Sequence, residues 1–163
     1  MIVVGIDNGL KGGLCAVDRD TEEIIDYTAM PTYEEGDKTE VCVTGIIKFL
    51  SRNGADKLLV AIEEPLKHAK SSQAIRSMAI SFGKCVGACN AVHVPVFRIQ
   101  VKEWQDVELG KRLAKGQTKT AALRKAQQHW PNQSWFATSR SRTPHDGIID
   151  AALIARYFLQ NKA

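Results

Sequence analysis

The sequence predicts an α/β fold, a mixed five-stranded sheet flanked by helices, and three observations carry that expectation. The chain opens with "IVVGID" and "LCAV", apolar runs parted by the turn residues "NGLKGG", so residues 2–17 read as a hairpin. Further along, the apolar runs "KLLVAIEEP" and "VPVFRIQ" alternate with stretches of helical period, the pattern of βαβ units. The length, 163 residues with 44% hydrophobic and 25% charged, suits one domain over residues 1–163 with a sizeable core.

The elements follow in order. "EIIDYTAM" reads as a third strand before Pro31, and residues 32–38, "TYEEGDK", as a polar loop. "TEVCVTGIIKFLSRNG" places Val43, Ile46, Ile47 and Leu50 at helical spacing, with Gly54 as its stop. "SSQAIRSMAISFGKCVGACNAVH" predicts a long helix with a serine cap. "TKTAALRKAQQHW" predicts a helix capped by Thr118 and stopped by Pro131, and "NQSWFATSRSRTP" a polar, basic loop. "HDGIIDAALIARY" is the last helix, giving the order β-β-β-α-β-α-β-α-α.

Composition narrows the function. No apolar run reaches the ~18 residues a membrane span needs, and "MIVVGIDNG" has no basic leader, so a cytoplasmic location is expected. Cys15, Cys42, Cys85 and Cys89 form no zinc spacing and read as reduced thiols, the last two as small packing residues. The net charge of +4 is uneven. Residues 98–145 hold ten Lys/Arg against Glu103, Asp106 and Glu108, a local +7, while the rest has twelve basic and fifteen acidic residues. That block is either a solvated helical face or, beside Trp104, Trp130, Trp135 and Phe136, a surface for a polyanion.

The acids are the most informative residues. Asp7 follows Ile6 as Glu63 follows Ile62, so parallel pairing of these strands would bring both carboxylates to one sheet edge, with Glu64 pointing the other way. Asp146 and Asp150 lie one turn apart on one helix face, which Leu153 and Tyr157 continue inward. Each acid has a plain alternative. Asp146 suits a helix N-cap or dipole partner, Asp7 a turn before Asn8-Gly9, and Glu63 a strand-end surface acid. Asp150 caps nothing. His145 is a loop residue or a proton carrier beside the site. Four converging carboxylates raise one another's pKa, and hard divalent cations such as Mg²⁺ or Mn²⁺ relieve this. Two such ions about 3.5–4 Å apart clamp the attacking and leaving oxygens of a phosphodiester.

On "VGIDNG", "VAIEEP", the helix that follows, and "HDGIIDAALIAR", in this order over nearly the whole chain, the sequence resembles the RuvC-type Holliday junction resolvases. These belong to the RNase H-like superfamily, and the short phage-like forms are the most similar. The resemblance implies an RNase H-like fold and a Mg²⁺-dependent endodeoxyribonuclease of DNA recombination and repair. It would work as a homodimer with two ions per active site and resolve four-way or other branched DNA by paired nicks. Metal ligands would be Asp7, Glu63, Asp146 and Asp150, and the phosphate-facing lysines Lys102 and Lys119, with Lys115 an alternative to the second. Relatives often space the last two acids by three residues; here the spacing is four. Where many relatives have an aromatic wedge after the glutamate, this chain has Leu66. The dimer would form on the long helix through Ile75, Met78, Ala79, Phe82 and Val86, with Gly83, Gly87 and Ala88 allowing close approach. That same face could instead pack on the chain's own sheet. The competing readings are a nuclease of this fold acting on a flap, hybrid or structured RNA, and a non-catalytic nucleic-acid-binding module.

Overall fold

The computed structural model describes every residue except 66–70 and 112. β1 (Ile2–Asp7) and β2 (Gly13–Asp18) form the expected antiparallel hairpin, and β3 (Ile24–Ala29) pairs antiparallel with β2. β6 (Leu58–Glu63) runs parallel to β1, and β7 (Val96–Ile99) parallel to β6. The resulting mixed sheet has the order β3-β2-β1-β6-β7.

Strand alternation decides which helix meets which residue. Val3, Cys15, Val17 and Ala61 face α3 (Val101–Glu108), α4 (Thr118–His129) and α5 (Asp146–Asn161). Val4, Ile6, Leu14, Val60 and Ile62 face α1 (Val43–Arg52) and α2 (Ser72–Ala91). The central strands are therefore apolar on both faces, which is why they read as unbroken hydrophobic runs. No helix among the described residues is long and apolar enough to cross a membrane.

α5 lies closer to the sheet than ordinary side chains allow. A Cβ on Gly5 would fall 1.9 Å from the carbonyl oxygen of Ala151, and one on Gly147 2.4 Å from the Cα of Gly12. Gly12 and Gly147 also form an isolated backbone bridge. Small residues at these points let the helix start rest on main chain at the β1–β2 turn.

Several expectations need correction. Residues 32–38 are not a loop: β4 (Thr32–Glu35) and β5 (Lys38–Val41) form a second hairpin, turning at Gly36 with φ +60°. The helix expected over residues 39–54 begins only at Val43, where the Cys42 thiol accepts from the Gly45 N–H at 3.4 Å. α3 is an additional helix. Thr118 is the first helical residue of α4, and Gln117 holds the cap position. Ser71 does cap α2, its hydroxyl accepting from the Ala74 N–H at 3.2 Å. Cys85 and Cys89 are buried packing residues, as expected.

Two interface expectations also change. Trp104, Trp130 and Trp135 are buried core residues, so among the aromatics of the basic segment only Phe136 is exposed. Ala88 is buried against the chain's own core, and Phe82 and Val86 pack on the same cluster. Ile75, Ala79 and Gly83 stay exposed on α2.

Candidate active site

The register of β1 on β6 pairs Ile6 with Ile62, so Asp7 and Glu63 end the two strands at one level. They share the strand parity of Gly5 and Ala61, which places both on the α5 face. Two unexpected residues fix this corner. The buried Asn8 donates its side-chain amide to the Glu63 carbonyl, tying the end of β1 to the end of β6. The indole of Trp104, fully buried on α3, donates to Glu63 Oε2 at 2.7 Å. In the sequence Asn8 reads as turn chemistry, and Trp104 as a candidate aromatic of a binding surface. The spacing of acids carries no signal for either role.

α5 delivers the remaining acids. His145 is placed by the start of the helix. It is the N-cap of α5, its Nδ1 accepting from the Ile148 N–H at 3.3 Å. Asp146 occupies the first helical position, where a carboxylate complements the helix dipole. It also accepts from the Lys119 ammonium of α4. Asp150 sits one turn on, with Leu153 and Tyr157 buried beneath it as the stripe predicted.

The carboxylates act on one another. Burial and the charge of Asp7 push Glu63 up to about 7, partly offset by the Trp104 hydrogen bond. Burial, then Asp7, Glu63 and Asp146, push Asp150 up to about 8, against a lowering by Lys119. Asp7 is raised by burial and lowered by the Gly9 N–H, which donates to its Oδ1 at 3.2 Å, and by His145. Desolvation and like charge thus work together at one corner of the sheet.

The expected residues divide accordingly. Asp7, Glu63, Asp150, Asp146 and Lys119 are brought into one electrostatic group. Lys102 is not in contact with these acids. It lines a separate cavity of about 330 Å³ with Glu64, Pro65, Gln100, Val101, Gln105 and Asp106. Lys115 is exposed before α4. Leu66 lies outside the described residues. A cavity of about 990 Å³ opens at the other end of the strands, around Met1, Leu58 and Pro95.

Among the described residues, no group of three or more His, Cys, Asp or Glu side chains is placed so that it could hold a metal ion. One oxygen each of Asp7, Glu63 and Asp146 is instead engaged by Gly9, Trp104 and Lys119. Mg²⁺ does not require a closed cage, since it keeps several waters and takes one or two carboxylates. The donor set, all oxygen and mutually repulsive, fits such an ion.

No protein-family model and no curated protein matches this chain. Solved structures do. A Thermus thermophilus RuvC structure is 15% identical, with a TM-score of 0.60 over 98% of this chain and 96% of that one. T. thermophilus RuvC in complex with Holliday junction substrate is 13% identical, with a TM-score of 0.64 over 99% of this chain and 97% of that one. The chain has the RuvC fold. At this identity the likeness is one of architecture, and it bears out the expected RNase H-like mixed sheet with flanking helices.

Proposed function

We propose that this protein is a metal-dependent endonuclease that cuts four-way junctions and related branched DNA by paired nicks, acting as a homodimer. The observation that carries the proposal is the group Asp7, Glu63 and Asp150, half-buried acids at the ends of β1 and β6 and in the first turns of α5, with Glu63 and Asp150 pushed up by burial and by the acids beside them. A fold gains no stability from such repulsion, so the arrangement makes sense as a receptacle for positive charge. The RuvC fold, seen in a relative with Holliday junction bound, supports branched DNA as the substrate.

Asp7, Glu63, Asp150 and Asp146 would hold divalent cations, Mg²⁺ or Mn²⁺ and two per site, which polarise the phosphodiester and acidify the attacking water. The protein's own groups do the positioning. Asn8 and Trp104 hold the Glu63 backbone and carboxylate in place. Lys119, exposed at the mouth of the site, donates to a phosphate oxygen once released from Asp146. Lys102, further along the edge, meets the flanking strand. The exposed Arg124, Arg140 and Arg142 grip backbone phosphates without reading sequence. The exposed part of α2, with Ile75, Ala79, Ile80 and Gly83, offers the contact between two copies. A two-fold dimer suits a two-fold junction, since two opposed strands must be cut.

The test is cleavage of a synthetic four-way junction against a matched linear duplex, with Mg²⁺ and with EDTA. Junction cutting in Mg²⁺ alone is expected. Equal cutting of both DNAs would replace the resolvase reading with a general nuclease, and binding without cutting would leave a binding module.

A further inference from the structure

The loop between α4 and α5 alternates one aromatic inward and one outward. Trp135 is buried and meets Trp130 edge-on, with ring centroids 5.9 Å apart. The next residue, Phe136, is 40% exposed. Anchoring the first therefore presents the second. The loop is tied down further: the His145 N–H donates to the Trp135 carbonyl at 2.7 Å, and Thr138 and Ser141 bond each other through both side chain and backbone. An exposed large apolar ring on a fixed loop keeps its position without the ordering cost that a mobile one pays on binding.

The surroundings of Phe136 indicate what it meets. It lines a cavity of about 420 Å³ with Tyr27, Ser134, Ala137, Thr138, Ser139 and Ser141, so two aromatic residues and four hydroxyl-bearing ones border the same space. Arg140 and Arg142 follow in the same loop, both exposed and neither in an ion pair among the described residues. A π-face, hydroxyl donors and free guanidinium groups together match one chemical unit, a nucleotide with its base free of the duplex. The segment's +7 charge favours a polyanion and disfavours a basic or purely apolar partner. The same loop ends at His145, the cap that orients Asp146.

We infer that Phe136, with Tyr27, Arg140 and Arg142, forms a stacking site for an unpaired nucleotide of the DNA being processed. The inference rests on the reading of the chain as a branched-DNA nuclease and adds a strand-holding site outside the carboxylate corner. An aromatic here would hold a base splayed from a junction or nick while the backbone runs on toward Asp146.

The experiment uses the full chain, in EDTA so that binding is read without cutting. The probes are a four-way junction and a gapped duplex, each with 2-aminopurine at an unpaired or branch-point position, and a continuous duplex as control. Stacking on Phe136 should quench the probe in the wild type. Phe136→Ala should abolish the quench and weaken binding to the branched and gapped DNAs about tenfold, while duplex binding is unchanged. Phe136→Leu, which keeps apolar bulk without a π-face, should behave like the alanine variant, and Phe136→Trp like the wild type. If Phe136→Ala quenches and binds as the wild type does while Mg²⁺-dependent cutting persists, the stacking site is overturned and the nuclease reading stands. If the wild type binds none of these DNAs, both fall together.

Discussion

Glu108 and Asp150 are carboxylates on neighbouring helices, and only one has a cation of its own. Glu108, on α3, is buried and accepts from Arg156 Nη1 at 2.8 Å on each of its two oxygens. Burial raises its pKa and Arg156 opposes that rise. Asp150, on α5, is pushed to about 8 by burial and by three other acids. Lys119 acts on it from a distance but spends its hydrogen bond on Asp146. Six residues apart on one helix, Arg156 completes a structural pair while Asp150 joins an uncompensated cluster. Within the protein, then, charge balance is available and has been withheld at one place. The pair belongs to the folding of the chain; in the proposed nuclease the cluster belongs to what the chain binds.

Breaking the cluster should leave the fold and remove the chemistry. Asp7→Asn, Glu63→Gln and Asp150→Asn each remove a charge with almost no change in shape. Cleavage of a junction in Mg²⁺ should drop by orders of magnitude in all three, while gel-shift affinity stays near wild type because the grip comes from Lys and Arg. A near wild-type rate in Asp7→Asn would end the metal-site reading.

Breaking the pair should do the reverse. Arg156→Ala strands a buried carboxylate and should cost about 3–5 kcal/mol by urea denaturation. Adding Glu108→Gln to Arg156→Ala should recover part of that loss. A single variant as stable as the wild type would show that Glu108 is protonated and needs no partner.

Trp104 links the two regions, since its indole holds Glu63 and its helix carries Glu108. Trp104→Phe keeps most of the packing and removes only the N–H. Apparent affinity for Mg²⁺, read from the concentration dependence of cutting, should weaken about 10–100-fold, with a modest loss of stability. Unchanged Mg²⁺ dependence would make the hydrogen bond a packing detail.

The smallest effect is on pH and stability. Glu63 and Asp150 titrate near 7 and 8 in the fold, against ordinary values of 4.5 and 3.8. The folded chain therefore binds more protons than the unfolded chain between these limits. The stability they contribute is complete below about pH 4 and is lost as pH rises through 7 and 8. In EDTA the melting temperature should fall from pH 5 to pH 8.5. Mg²⁺ should restore it at pH 8.5 more than at pH 5, and Asp150→Asn should flatten both trends. A melting temperature that rises over this range in EDTA would contradict the mutual repulsion.

The contrast also marks what a sequence discloses. β1, β6 and their terminal acids were legible because the change from Ile to carboxylate marks the strand end and parity assigns the face. Asp150 was legible because a charge in an apolar helix caps nothing. β4 and β5 were not: "TYEE" is exposed throughout and "KTEV" reaches the core only through Val41, so no apolar alternation announces them. α3 is not legible because it begins two residues after β7 and buries only Trp104 and Glu108. The tryptophans read as part of the basic surface because sequence proximity cannot say which side of a helix a ring takes. Asn8 and Trp104 act across 55 and 41 residues of chain, a separation that local pattern cannot bridge.

The seating of α5 has a consequence for anyone who would redesign this protein. Where the carbonyl of Ala151 meets Gly5, and Gly147 meets Gly12, the distance from helix to sheet is set by peptide groups. Swapping core side chains elsewhere can soften or stiffen the layer, yet it cannot lengthen this gauge. Alanine at Gly5 or Gly147 acts as a shim at the one place where thickness counts, lifting the helix and carrying Asp150 away from Asp7. The separation of the acids is thus built into the backbone, and the surrounding core is left free to drift.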